Sequence, residues 1–165
     1  MIGKFKISKL DLIVNTLPNI ETETLKYYCL NSFPDNITID AAIINDSENN
    51  YTYNWSTGQN TYQIEINSIG KFVVTVTNNN GCSKSRTVNI EPSDLATFKE
   101  INVIDASENN TITVLISEDS QGIYQFRLMD SNNIVVAPYQ DSNVFEDVFP
   151  GIYNVSVKDI KNDCG

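Results

Sequence analysis

The chain has 165 residues, 41% of them hydrophobic, carries a formal net charge of −10 and contains no histidine. That is enough apolar material for one domain or two small ones with packed cores. An acidic chain without a Lys/Arg cluster is a poor partner for nucleic acid or an anionic membrane surface, and the lack of histidine removes the commonest general acid–base residue and metal ligand.

Residues 1–17 stand apart from the rest of the chain. In FKISKLDLIVN the apolar stripe switches parity between Ile7 and Leu10, which reads as a bulge or two short strands. The segment is expected to be an N-terminal strand, either the closing strand of a module upstream or an extra strand on the first domain. Its lysines precede no apolar run long enough for a signal peptide, and no run in the chain approaches the roughly 18 apolar residues of a membrane-spanning helix. Two expectations remain open: a cytoplasmic protein, or a piece of a longer secreted one.

From Pro18 onward, alternation with period two recurs almost everywhere. It runs through Ile37, Ile39, Ala41 and Ile43, then Tyr51, Tyr53 and Trp55, then Tyr62, Ile64 and Ile66, then Phe72, Val74 and Val76, then Val88 and Ile90. Asn80-Gly81 reads as a two-residue hairpin turn between the last two stripes. Pro92 and Asp94 in EPSD break the pattern and mark a boundary. The habit then resumes through Ile101 and Val103, Ile112 to Ile116, Tyr124 to Leu128 and Tyr153 to Val157, with SNNIVVAPYQ as an inserted strand or hairpin. Short strands separated by Asn, Gly, Asp and Ser clusters predict an all-β chain of antiparallel sandwiches.

One phrase occurs twice. GKFVVTVTNNNGC begins at Gly70 and GIYNVSVKDIKNDC at Gly151, 81 positions apart (151 − 70), and each runs from a glycine through aromatic-x-Val-x-Val to a cysteine. An aromatic strand precedes each, Tyr53-Asn54-Trp55 and Tyr124-Gln125-Phe126. A period this long is a domain repeat. The expected organisation is a first domain over 18–92 and a second over 93–165, joined by a short Pro-containing linker.

YTYNWSTGQN followed by GKFVVTVTNNNGC resembles the polycystic-kidney-disease (PKD) type domain, an immunoglobulin-like sandwich. Ser56-Thr57-Gly58-Gln59 stands where many such domains have an acidic Gly-Asp-Gly, a departure that weakens any acidic-loop metal site. WSTG with the Gly-Cys after the valine strand is similar to the PKD-like repeats of large surface proteins of gliding bacteria. YQDSNVFEDVFPGIYNVSVKDIKNDCG resembles the module that often precedes a type IX secretion sorting domain. The resemblance covers about residues 20–165 and implies two tandem immunoglobulin-like (PKD-like) antiparallel β-sandwiches in an exported, multi-domain protein. Its localisation would be extracellular or at the cell surface, and its role that of a spacer or adhesive module.

With export implied, Cys29 and Cys82, which flank the first domain's strands, are expected to form a disulfide, the other reading being two free thiols in a cytoplasmic protein. Cys164 matches Cys82 in the repeat but has no counterpart of Cys29 in the second half. It is expected to find its partner beyond Gly165, or to be a lone thiol.

The candidate sites are few. Tyr51, Tyr53 and Trp55 could present an aromatic platform to a sugar ring, but sharing one face they read better as core, Tyr51 least so. Tyr62 and Tyr139 are looser candidates for exposed contact. Asp46, Glu48 and Asn50 offer oxygens at alternate positions that calcium could use, although the glycine and the closing Glu of an EF-hand loop are missing, and a solvated turn fits as well. No nucleophile–base pair or glycine-rich phosphate loop occurs, so the expectation is a non-enzyme with no cofactor, calcium apart. Its expected partners are neighbouring domains of the same chain and a surface polysaccharide or surface protein. The alternatives are a carbohydrate-binding module and an accessory domain of a secreted hydrolase.

Overall fold

A computed structural model describes residues 12–105, 109–162 and 164. Twelve strands follow one another: β1 (Glu23–Cys29), β2 (Ile37–Asp40), β3 (Tyr51–Trp55), β4 (Gln63–Ile66), β5 (Gly70–Asn78), β6 (Ser83–Ser93), β7 (Phe98–Ile104), β8 (Asn110–Ile116), β9 (Tyr124–Asp130), β10 (Val135–Gln140), β11 (Val144–Val148) and β12 (Tyr153–Asp159). The only helical pieces among the described residues are two short 3-10 turns, Leu30–Ser32 and Glu48–Asn50, so none is long or apolar enough to cross a membrane. The chain is all-β, built as two β-sandwiches.

The first sandwich packs a four-stranded sheet, in the order β1-β6-β5-β3, on the two-stranded antiparallel sheet β2-β4. Period-two alternation turns Tyr53 and Trp55, Ile64 and Ile66, Phe72, Val74 and Val76, and Val88 and Ile90 into one core. Trp55 is 2% exposed, and its indole N–H donates to the Thr61 carbonyl at 2.9 Å, so the large ring is buried without an orphaned donor. Arg86 is the buried cation of this half. It donates to the Asp40 carbonyl at 3.1 Å, the Thr24 hydroxyl at 3.0 Å and the Glu21 carboxylate at 3.0 Å.

The second sandwich packs β11-β8-β7 on β10-β9-β12, around Ile112, Val114, Phe126, Leu128, Phe145 and Val148. SNNIVVAPYQ supplies β10, an extra strand on β9, as its pattern suggests. The expected strand over residues 1–17 lies mostly outside the described residues. Leu12 to Leu17, which are described, form no strand.

Three expectations change. The Asn80-Gly81 turn is a three-residue loop: Asn78 N–H donates to the Cys82 carbonyl at 3.0 Å, and Gly81 N–H to the Asn78 carbonyl at 2.9 Å. Gly81 alone holds a positive φ, +79°, which is the glycine of a G1 bulge after a type I turn. Pro92 does not break the strand. It lies inside β6, paired with β1 beyond Gly70↔Ile90, where β5 has ended and a missing N–H is tolerated.

The cysteine pairing differs as well. Cys29 is bonded to Cys164, with their Cα atoms 5.5 Å apart, and Cys82 is a free, half-buried thiol. Cys29 is the last residue of β1, which runs parallel to β6 and sets it against Ser93. Cys82 immediately precedes the other end of β6, roughly 35 Å away at strand rise, far beyond disulfide reach. Cys164 therefore needs no partner beyond Gly165.

Candidate functional site

A dense polar network fills the junction between the sandwiches, and it is built from strand ends. β1 and β6 finish side by side at Cys29 and Ser93, residues 94–97 cross over, and β12 returns from the second sandwich to end at Asp159. The Cys29–Cys164 bond closes this end. Asn31, in the turn after Cys29, accepts the Leu95 N–H on its side-chain oxygen at 2.7 Å.

Asp159 is 2% exposed and is the hub. One carboxylate oxygen accepts the N–H groups of Ile123 at 2.9 Å and Lys161 at 3.0 Å. The other accepts the Asn162 N–H at 3.1 Å and, in a very short bond, the hydroxyl of Ser93 from the first sandwich. Burial works to raise its pKa, but these four donors outweigh burial and hold it below the ordinary 3.8. The charge stays because every lone pair is used.

Asp94 repeats the device on the crossover. It accepts the Gln121 N–H at 2.7 Å and a short bond from the Tyr124 hydroxyl, which in turn accepts the Gly122 N–H at 2.9 Å. Burial first, and then this carboxylate, push the Tyr124 hydroxyl up to about 12. Gly122 is required here, since a Cβ would lie 2.5 Å from the Tyr124 ring and 2.7 Å from Asp159 Oδ1. Lys161 closes the rim: its ammonium donates to the Pro92 carbonyl at 2.9 Å, pairs with Glu91 at 3.7 Å and lies 5.0 Å from the centre of the Tyr27 ring.

The predicted site residues do not converge. Tyr51 and Tyr62 pack against the first core, Tyr62 beside Tyr53, which it meets edge-on at 5.8 Å between ring centres. Tyr139 is on β10 of the second sandwich, between Arg127 at 4.6 Å and Lys158 at 4.8 Å from its ring centre. Asp46, Glu48 and Asn50 share an exposed turn. There Asp46 accepts the Tyr51 hydroxyl at 2.6 Å, the Ser47 N–H at 2.7 Å and the Asn50 amide at 2.7 Å. These bonds, Tyr51 foremost, hold its pKa below the ordinary range, and any cation would have to displace them. Among the described residues no group of three or more Cys, Asp or Glu side chains is placed to hold a metal.

The junction residues were not among the sequence candidates. One signal points to them: shifted by 81 positions, Asp159 falls on Asn78, whose side-chain oxygen likewise accepts N–H groups of its hairpin, from Asn80 at 3.1 Å and Cys82 at 3.0 Å. The repeat thus marks a cap at the end of the glycine-aromatic strand. In the second copy that cap also reaches across to Ser93.

No family model matches the chain, and no curated protein matches it in sequence. Solved structures that resemble it include murine CEACAM1b, at a TM-score of 0.46 and 11% identity over 81% of this chain and 88% of that one. Titin domains A168–A170 resemble it at a TM-score of 0.43 and 15% identity over 81% of this chain and 51% of that one. Neither likeness says what the chain binds.

Proposed function

We propose that the chain is a non-catalytic, stiff two-sandwich spacer within an exported bacterial surface protein, presenting a binding or adhesive region at a distance from the cell. The observation that carries this is the junction. A connection of four residues, 94–97, is overlain by a covalent bond and by a buried carboxylate satisfied from both sides. Two modules meant to swivel have no use for such a staple, whereas modules meant to hold an angle do. A disulfide joining strand ends also suits an oxidising compartment, in keeping with the export that the PKD-like resemblance implies. Association with gliding motility and type IX secretion, and adhesion to a surface polysaccharide or protein, belong to the same reading.

Small-angle X-ray scattering on the oxidised protein and on Cys29→Ser tests the stiffness. The oxidised chain is expected to fit one conformation with a sharp maximum dimension, and Cys29→Ser to keep most of that rigidity through Asp159, Asp94 and Lys161. A profile needing a broad ensemble in the oxidised protein would defeat the spacer reading. Saturable co-sedimentation with an insoluble polysaccharide, lost on Tyr139→Ala, would replace it with carbohydrate binding.

A further inference from the structure

The second sandwich has an open slot where the first has a strand. β5 lies between β3 and β6, but its repeat equivalent β12 pairs with β9 alone, and among the described residues nothing pairs with its other edge. Facing that edge across the sandwich is β7, itself an edge strand. Ile101 and Val103 sit opposite the buried Val114 and Ile112, so their side chains point inward, yet they are 49% and 61% exposed. Val155 and Val157 sit opposite the buried Leu128 and Phe126 and are only half-buried. Between the two edges runs an open groove of about 380 Å³, with Ile101, Val103, Ile112, Val148, Tyr153 and Val155 among its walls and Asp105 at its rim. Inward-facing apolar side chains exposed beside a free strand edge are the receptor half of strand addition.

The same chain contains a segment with the matching properties. Residues 1–14, MIGKFKISKLDLIV, carry Phe5, Ile7, Leu10, Leu12 and Val14 and hold Lys4, Lys6 and Lys9 against Asp11 alone, in a chain of net charge −10. Leu12, Ile13 and Val14 are 80%, 81% and 82% exposed, so nothing among the described residues covers them. The segment cannot fill its own chain's slot. The Thr16 carbonyl accepts the Asn78 amide at 2.8 Å, which fixes residue 16 at the end of the first sandwich away from the junction. Leu12 and Val14 lie within four residues of that anchor, a reach of at most about 14 Å, whereas the junction is roughly the 35 Å length of β6 away, so they cannot enter their own chain's slot.

We infer that residues 1–14 of one copy insert as a strand into the slot between β7 and β12 of a second copy, antiparallel to β12 as β6 is to β5. The contact is head-to-tail and does not close on itself, so it builds linear chains of copies. It rests on the strand edges alone and is independent of the spacer reading.

The test uses the full 165-residue chain at rising concentration, with mass measured by light scattering after size exclusion. The unaltered protein is expected to form a ladder of oligomers. Leu12→Asp with Val14→Asp removes the donor, and Val103→Lys, at an exposed position, spoils the slot; each protein alone is expected to be a monomer. Mixed, they retain one good donor and one good slot between them and are expected to give a 1:1 dimer that goes no further. A synthetic peptide of residues 1–14 should block the ladder, at tenfold or more lower concentration than its scrambled form. A monomer at all concentrations, a ladder that survives the donor changes, or a mixture that stays monomeric would each overturn the proposal. So would a longer polypeptide, extended past Gly165, that fills the slot with its own next strand and excludes the peptide.

Discussion

The two sandwiches carry the same strand phrase and use it differently. Phe72, Val74 and Val76 on β5 are 9%, 0% and 0% exposed, while their repeat equivalents Tyr153, Val155 and Val157 on β12 are only half-buried. The residues are nearly the same and point the same way, so composition does not explain the difference. Neighbours do. β5 has β6 on its outer edge and β1 beyond it, whereas β12 is an edge. Burial of a strand's inward face is thus a property of the sheet around it, and the second sandwich borrows its order from its β9 pairing and from the junction.

The largest way to break this arrangement is to cut the staple. On the chain-entropy model a crosslink spanning 135 positions is worth on the order of 5 kcal/mol. Cys29→Ser is expected to split one calorimetric transition into two, the second sandwich melting first. Thiol titration sharpens the same point: one reactive thiol per native chain, Cys82, and three once the protein is reduced in denaturant. A native count of three would remove the staple altogether.

A smaller effect is expected from Arg86→Met. It keeps the volume but strands the carbonyl and hydroxyl acceptors at Asp40 and Thr24, at a cost of about 2–3 kcal/mol. The Glu21 ion pair adds little of this, since that carboxylate is 60% exposed. The loss should appear in the first sandwich's transition, the later of the two in the uncoupled protein, and leave the second sandwich's transition unmoved.

Matched truncations at equivalent positions come next. Val76→Ala is expected to cost about 2–3 kcal/mol and Val157→Ala about 1, because the second site already touches solvent and leaves no sealed cavity. Urea denaturation of the pair reads the difference directly. Equal costs would mean that β12 is as enclosed as β5, and the comparison would fail.

The same physics decides which parts of the fold a sequence can announce. Trp55, Val74 and Val88 are legible because a sandwich's inner face imposes a two-residue period on each strand. Ile101 and Val103 show that same period and read as core, yet they stand half open, since alternation records which way a side chain points and says nothing of what covers it. ETLKYYC hides β1, because Leu25 is exposed and Tyr28 is its one buried residue, so the alternation is broken. Without β1 in view, Cys29 looks like a neighbour of Cys82. The junction left no local trace: Ser93 and Asp159 are 66 positions apart, and two hydrophilic residues at that distance form no pattern. Only the alignment of Asp159 with Asn78 hinted at it.

The smallest expected effect isolates the junction by pH. Asp159 has a folded pKa below 3.8, so its carboxylate contributes stability that is fully present above that value and is lost as pH falls through the lower folded one. Tyr124 works from the other side: its hydroxyl, raised from 10.0 to about 12, contributes stability that is complete below pH 10 and lost as pH rises toward 12. Between pH 4 and pH 10 neither group changes charge, and the junction should hold one geometry throughout. Asp159→Asn keeps the shape but removes the anion that four donors surround. Its urea midpoint should therefore lie below that of the unaltered protein at pH 6, and the gap should narrow as pH drops from 4 toward 2.5. Every other carboxylate is common to both proteins and cancels in the comparison. A gap that stays constant with pH would mean that the donors hold the side chain's shape and not its charge, leaving the disulfide as the main tie between the two halves.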